Sequence, residues 1–401
     1  MKSKNTKKKT KRTRKNSSPQ NTMEYSASHT DGKQPSFLAS MELKSTIEQN
    51  DPRQNRKETS ILAVGPQFYA IGKDETHLLI YDSETNEKKV QFLLDSQGHK
   101  ITTTDIIIIK DIVYFFGSSR RFYSYKLDDP KGPRLLHKDL RGSGWYGRTL
   151  RAGFFGEGIV YNDADNALRI LDLDGRGGIR RIINLNKLDV FENYDNDLMS
   201  DEINDHLIAG KYQNQIVSFY RSGFIVVRHY FLKRRKLLKT YVFQMQLYKD
   251  NSEKIFGADL CPSDPQYIAV YVIRWSGRKS SRVVILRLTE KQAIEEVASC
   301  DLYSYRLEEI RVIKFFSKGF KNDRFLMMIS ITFKASSNRA VVLCFDKLSG
   351  ELKVVENLEL VLQCNQIYKA ERAFGGIYCV DYTGALIGLE LAEKVDEYAV
   401  G

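Results

Sequence analysis

No stretch of about 18 apolar residues occurs anywhere in the chain, so the sequence offers no membrane-spanning helix and no membrane partner is expected. The N-terminus has no apolar segment of the kind a secretory leader needs, and the expectation is a protein that is not exported. Cysteine is sparse and odd in number: Cys261, Cys300, Cys344, Cys364 and Cys379, with no CxxC among them. That speaks against both zinc spacing and a disulfide framework, and predicts reduced thiols in an intracellular setting. Cys344 and Cys379 lie inside apolar runs and read as small hydrophobes. The six histidines are scattered (His29, His77, His99, His137, His206, His229), with neither HxxxH nor HExxH, and no GxSxG elbow accompanies them. Tryptophan is limited to Trp145 and Trp275, with no Trp-Asp dipeptide. No catalytic signature, metal site or cofactor site is expected, and the reading is non-enzymatic.

What the chain does contain is repetition. Residues 157–172 (EGIVYNDADNALRILD) and 375–390 (GGIYCVDYTGALIGLE) align without a gap. Gly158, Ile159, Asp163, Ala167, Leu168 and Leu171 match Gly376, Ile377, Asp381, Ala385, Leu386 and Leu389. Each copy is an apolar run, a short polar turn and a second apolar run, which is a β-hairpin used twice. Ile106 to Ile109, then Lys110-Asp111, then Ile112 to Phe116 reads the same way, and its β-branched and aromatic residues suit strands.

A second repeating unit is an apolar strand followed by a polar turn. It reads LLIYDSETNEKK (78–89), LRILDLDGRGG (168–178) and VVLCFDKLSGELK (341–353), each with an acid at the end of the strand. Asp at that place accepts bonds from backbone N–H groups just ahead, and Gly or Asn takes the left-handed position. Looser copies are FYSYKLDD (122–129), FIVVRHYFLKRRK (224–236), RVVILRLTEKQ (282–292) and ALIGLELAEK (385–394). These seven units lie roughly 44 to 58 residues apart, room for four strands each. Over about residues 58–398 the chain resembles, at the level of pattern, the broad WD-repeat and kelch-like class of β-propellers.

The expected fold is therefore all-β: a single β-propeller of about seven four-stranded blades over 58–401, behind a disordered basic N-terminal tail, 1–57. A 42% hydrophobic share supports so large a core. The tail is polar and short of large apolar residues, so it cannot bury enough surface to offset the entropy of ordering. The ring must close, because an open sheet edge invites aggregation. Two segments compete for the last outer strand: Val395 to Val400, or an N-terminal piece such as FLASMEL (37–43).

Charge points to function. The formal net charge is +12, and Lys2, Lys4, Lys7, Lys8, Lys9, Lys11, Arg12, Arg14 and Lys15 supply most of it, with no acid before Glu24. Lys7, Lys8, Lys9, Lys11, Arg12, Arg14 and Lys15 form a cluster of the kind an acidic import receptor reads, and one that also neutralises nucleic-acid phosphate. The expectation is a nuclear or nucleolar protein, or a cytoplasmic one if the cluster is not an import signal. A second basic group is Arg176, Arg180 and Arg181 with Lys233, Arg234, Arg235 and Lys236. It falls at equivalent third-to-fourth-strand turns of neighbouring blades, which emerge on one face. Arg278, Lys279 and Arg282 belong to a second-to-third-strand turn on the opposite face.

Other motifs reduce to structure. The acidic stretch 189–205 reads as a solvated insertion. Asp172-Leu173-Asp174-Gly175 starts like a calcium loop but continues with Arg176 and two glycines. Gly142 to Gly147 matches GxGxxG, yet no helical stripe follows it. The functional expectation is a scaffold that holds a protein partner through loops of one face, with the tail serving import and weak nucleic-acid contact. One alternative is a nucleic-acid or ribonucleoprotein-binding module using the tail and the basic face. The other is a propeller enzyme with carboxylates around the central channel.

Overall fold

The computed structural model describes residues 41–48, 61–65, 67–73, 77–85, 87–92, 97–98, 103, 105–117, 121–138, 140, 153–155, 158–162, 168–185, 203–209, 214–231, 236–245, 253–274, 280–289, 294–302, 309–317, 323–332, 338–362, 364, 367–373, 376–381 and 386–393. They build seven four-stranded antiparallel sheets. β1 (Met41–Glu48) stands apart from its neighbours in sequence. Blade 1 is β2 (Ile61–Val64), β3 (Phe68–Lys73), β4 (His77–Asp82) and β5 (Lys88–Phe92). Blade 2 is β6 (Asp105–Ile109), β7 (Ile112–Phe116), β8 (Phe122–Lys126) and β9 (Arg134–His137). Blade 3 is β10 (Gly153–Phe155), β11 (Gly158–Asn162), β12 (Leu168–Leu173) and β13 (Ile179–Asn184). Blade 4 is β14 (Ile203–Ala209), β15 (Gln215–Tyr220), β16 (Phe224–Phe231) and β17 (Lys236–Gln244). Blade 5 is β18 (Glu253–Leu260), β19 (Tyr267–Arg274), β20 (Ser280–Leu288) and β21 (Ile294–Asp301). Blade 6 is β22 (Glu309–Phe315), β23 (Arg324–Thr332), β24 (Asn338–Asp346) and β25 (Glu351–Leu362). Blade 7 takes β26 (Ile367–Ala373), β27 (Gly376–Asp381) and β28 (Leu386–Glu393), and its fourth strand is β1.

The seven repeating units are the third strands, β4, β8, β12, β16, β20, β24 and β28, with the turns that follow them. The two matching hairpins are β11–β12 and β27–β28, in the same register: Ile159 faces Leu171 and Ile377 faces Leu389. First strands of neighbouring blades lie against each other around the ring, β26 meeting β2 where it closes.

The core sits between blades. Val113 and Phe115 pack with Ala70, Leu78 and Ile80 of blade 1, while Tyr114 and Phe116 on the other side of β7 pack with Ile159, Tyr161 and Leu171 of blade 3. Every residue of β7 is buried, because neighbours cover both faces of its sheet. That explains why runs such as IVYFF show no polar alternation. First strands of blades 4 to 7 share another device: each bulges just after an isoleucine, at Ile203, Ile255, Ile310 and Ile367.

Closure departs from the composition-based boundary. β1 falls within 1–57, so the propeller begins by Met41 rather than at residue 58. β1 runs antiparallel to β28 from Met41 opposite Glu393 to Glu48 opposite Leu386, and lies beside β25 of blade 6. The sequence MELKSTIE carries Met, Leu and Ile at alternate or near-alternate positions, and its backbone supplies the hydrogen bonds that β28 would otherwise leave open. Of the two competing segments, the N-terminal one closes the ring, shifted a few residues past FLASMEL. The cluster Lys7 to Lys15 lies outside the described residues.

Candidate functional site

Strands within a blade alternate in direction, so first-to-second and third-to-fourth turns share one face of the disc. That face is built from repeated turn chemistry. In blade 1, Asp82 Oδ1 accepts the N–H groups of Glu84 (2.9 Å) and Thr85 (3.1 Å), and Thr85 Oγ1 accepts that of Glu87 (3.3 Å). In blade 6, Asp346 Oδ1 accepts those of Leu348 (2.9 Å) and Ser349 (3.2 Å), and Ser349 Oγ that of Glu351 (3.3 Å). Each acid also holds a cation, Lys89 at 2.7 Å and Arg324 at 2.8 Å. The Lys89 bond, with the two backbone donors, pulls the Asp82 carboxyl down to about 2. Asp346 is lowered too, first by Arg324.

Blade 3 differs by one step. Its third strand runs on to Leu173, so Asp174, not Asp172, makes the turn, accepting the N–H groups of Arg176 (2.7 Å) and Gly178 (2.8 Å). Asp172 is instead buried and paired with Arg181 (3.1 Å) and Arg180 (3.6 Å). The expected basic face is thereby resolved in part. Arg176 is exposed in the β12–β13 turn, while Arg180 and Arg181 stand on the outer strand β13 and share one carboxylate. The β16–β17 turn is the equivalent turn of the next blade; Lys233, Arg234 and Arg235 lie outside the described residues, and Lys236 begins β17 opposite Phe231.

The turns of this face are stitched together. A residue at or just past the end of the third strand donates its N–H to a carbonyl of the first-to-second turn in blades 1, 2, 5 and 6: Ser83 to Gln67, Leu127 to Asp111, Leu288 to Gln266, Lys347 to Asp323. Two bonds cross between blades. Ser124 Oγ of blade 2 donates to the Gly177 carbonyl of blade 3 at 2.7 Å; Gly177 has φ +90°, where a side chain would be strained. Lys347 of blade 6 pairs with Asp264 of blade 5 at 3.0 Å and lies over the Tyr267 ring. From this frame Leu348 projects into solvent, 79% exposed.

The central channel holds a second constellation, formed by first strands. Asp259 of β18, 2% exposed, accepts the Phe315 N–H at 2.8 Å and pairs with Lys314 of β22 at 3.4 Å and with Arg372 of β26. Glu371 reaches Lys314 at 3.9 Å and Lys369 at 3.8 Å. Lys369 reaches Asp105 of β6 at 3.1 Å. Arg372 thus skips blade 6, and Lys369 skips blade 1, which first-strand residues can do only across the lumen. The channel does carry carboxylates, as the enzyme alternative requires, but Asp259 and Asp105 are engaged by cations of the same chain and Glu371 lies between two of them.

Sequence reasoning missed these residues because they come from different blades. The trace they leave is a charge inside an otherwise apolar first strand, as in IFGADL and RVIKFF. It also missed Arg228 of β16, fully buried with Ser218, Tyr220 and Tyr230 on the side facing blade 3, where its guanidinium donates to the hydroxyls of Ser218 (3.1 Å) and Tyr220 (3.3 Å). His229, its neighbour, is buried on the opposite side. All five thiols are free, and burial pushes Cys344 up to about 11 and Cys364 to about 12. Such thiols are poor nucleophiles. Among the described residues no group of His, Cys, Asp and Glu could hold a metal ion, and no helix is long and apolar enough to cross a membrane. Gly142 to Gly147, Arg278 and Lys279 lie outside the described residues; Arg282 stands in β20, paired with buried Glu253 at 3.2 Å.

No protein-family model matches the chain, and no curated protein matches it in sequence. Solved structures do match in shape. The β-propeller domain of Cps50 (Swd1) from Myceliophteria thermophila is similar with a TM-score of 0.57 at 10% identity, covering 86% of this chain and 99% of that one. The N-terminal domain of Nup159 is similar with a TM-score of 0.56 at 9% identity, covering 88% and 96%. A chain in the S. cerevisiae structure of dbp5 bound to nup159, gle1, IP6 and ADP gives 0.55 at 9% identity, covering 88% and 96%. At such identities the likeness is one of fold: a β-propeller.

Proposed function

We propose that the propeller is a non-enzymatic interaction scaffold that holds a protein partner on the face bearing the first-to-second and third-to-fourth turns. The observation that carries this reading is Leu348, 79% exposed at the tip of a turn whose base is fixed by Asp346, Asp323 and, across the blade boundary, Asp264. An apolar side chain on a pre-ordered frame is what a partner's pocket can use at low entropic cost. The pairing of channel carboxylates within the chain supports a scaffold over carboxylate catalysis. Sharing of Asp172 between Arg180 and Arg181 weakens the basic face as a phosphate surface and favours a protein partner over nucleic acid. The neighbours in shape support the same kind of role, one of them being a structure of dbp5 bound to nup159 and gle1.

The test compares proteins retained by the full-length chain, by Leu348→Asp and by Ser222→Arg, a change in the β15–β16 turn on the opposite face, each after nuclease. The expected outcome is a set lost with Leu348→Asp and kept with Ser222→Arg. Retention that survives Leu348→Asp, or collapses with nuclease, overturns the reading, the latter in favour of nucleic acid. We propose further that Lys7 to Lys15 directs nuclear import. Deleting residues 1–16 leaves β1 in place and should abolish nuclear enrichment; unchanged enrichment removes that part of the proposal.

A further inference from the structure

The charges of the central channel are not equally accessible. Asp259 and Asp105 are almost fully buried, with side chains 2% and 4% exposed, whereas Lys314, Lys369 and Arg372 are 19%, 26% and 26% exposed. The two aspartates act from behind. Asp259 fixes Lys314 and Arg372 while accepting the Phe315 N–H; Asp105 fixes Lys369 while accepting the Ile106 N–H at 2.8 Å. Among the described residues, these pairs present to the lumen a set of pre-ordered cations and one carboxylate, Glu371, 34% exposed.

Glu371 is held differently from the aspartates. Its oxygens stand 3.9 Å from Lys314 Nζ and 3.8 Å from Lys369 Nζ. A charge-assisted N–H···O bond is about 2.7–2.9 Å, so this carboxylate sits between two ammonium groups without closing on either. We infer that Lys314, Lys369 and Arg372 form an oxyanion site in the channel, and that Glu371 is its resident intramolecular anion. A phosphate or carboxylate group that enters the channel takes the place of Glu371, meeting cations that need no further ordering. The group comes either from a free ion or from an acidic side chain that a partner inserts. This inference does not depend on Leu348 or the turn face.

Glu371 competes as a tethered group, at an effective concentration on the order of millimolar or above, so its removal should tighten oxyanion binding about tenfold. The test uses full-length protein and its Glu371→Gln variant, titrated calorimetrically with sodium phosphate and with a short Asp/Glu peptide, against sodium chloride at equal ionic strength. The expected result is heat specific to phosphate or peptide, about tenfold tighter in Glu371→Gln than in the parent. Glu371→Lys leaves every aspartate-held cation in place and adds a further ammonium beside them; it should bind phosphate at least as tightly as Glu371→Gln. Phosphate binding without peptide binding assigns the site to a free ion, and the converse to a partner's side chain. Absence of specific heat in Glu371→Gln, equal affinity in parent and variant, or weaker binding in Glu371→Lys than in the parent overturns the inference.

Discussion

Starting the chain at Glu58, where composition turns from polar to apolar, removes the strand that closes the ring. β1 pairs with β28 over 8 residues. An antiparallel pair of that length shares roughly eight backbone hydrogen bonds, each with a net worth of ~0.5–1.5 kcal/mol, so about 4–12 kcal/mol is at stake. A whole domain is stable by only about 5–15 kcal/mol. Loss of β1 also uncovers β28, whose Leu386, Ile387 and Leu389 are buried, and leaves a free edge that can pair between molecules. A 58–401 protein is therefore expected to aggregate or to melt far below the full-length chain, while a 36–401 protein, which lacks the basic cluster but keeps β1, melts close to it. Adding a synthetic 36–50 peptide to 58–401 should restore much of the loss by strand addition. Circular dichroism melts and size-exclusion profiles of the three proteins decide the matter. If 58–401 is monomeric and melts within a few degrees of full length, β1 is not the closing strand and the reasoning fails.

Three further outcomes follow from particular side chains. Replacing Arg228 with Ala should cost about 3–5 kcal/mol, because it empties a buried site and strands the hydroxyls of Ser218 and Tyr220; denaturant unfolding measures it, and a cycle with Ser218→Ala should show coupling of about 0.5–3 kcal/mol. Asp82 sits near 2 in the folded state, below its unfolded value of about 3.9, so its contribution is present above about pH 4 and lost as pH falls toward 2. Melting temperatures of Asp82→Asn between pH 5 and 2 should fall less steeply than those of the parent; parallel slopes would refute the assignment. His229 acts with the same sign at higher pH: burial, with Lys239 nearby, lowers its value, so the unfolded chain binds a proton that the folded one refuses. Stability should then rise with pH up to about 6.5, and His229→Phe should flatten that rise.

The blades were readable because each is local. A third strand and its turn lie within a dozen residues, and Asp82 with Thr85 or Asp346 with Ser349 repeats the same bonds wherever the spacing repeats. The β7 run IVYFF could be identified as strand from its residues, although its burial on both faces needs the neighbouring blades. Asp172 shows the limit of the local pattern. It looks like the turn acid of its unit, but the strand extends by one residue, Asp174 takes that role, and Asp172 is left facing Arg180 and Arg181.

What could not be read is whatever the ring brings together. Lys369 and Asp105 are 264 residues apart, and Arg372 and Asp259 are 113 apart; no window of sequence contains either pair. β1 shows a related limit: FLASMEL marks its first residues as a candidate strand, but the polar residues that follow hide the rest, although Met41, Leu43 and Ile47 carry the apolar pattern a strand needs. The closure was legible only as a choice. An open edge on β28 must be paired, and FLASMEL and Val395 to Val400 both offered a strand for it. What decides between them is the backbone register of β1 on β28, Met41 opposite Glu393 to Glu48 opposite Leu386, and no window of sequence contains that pairing either.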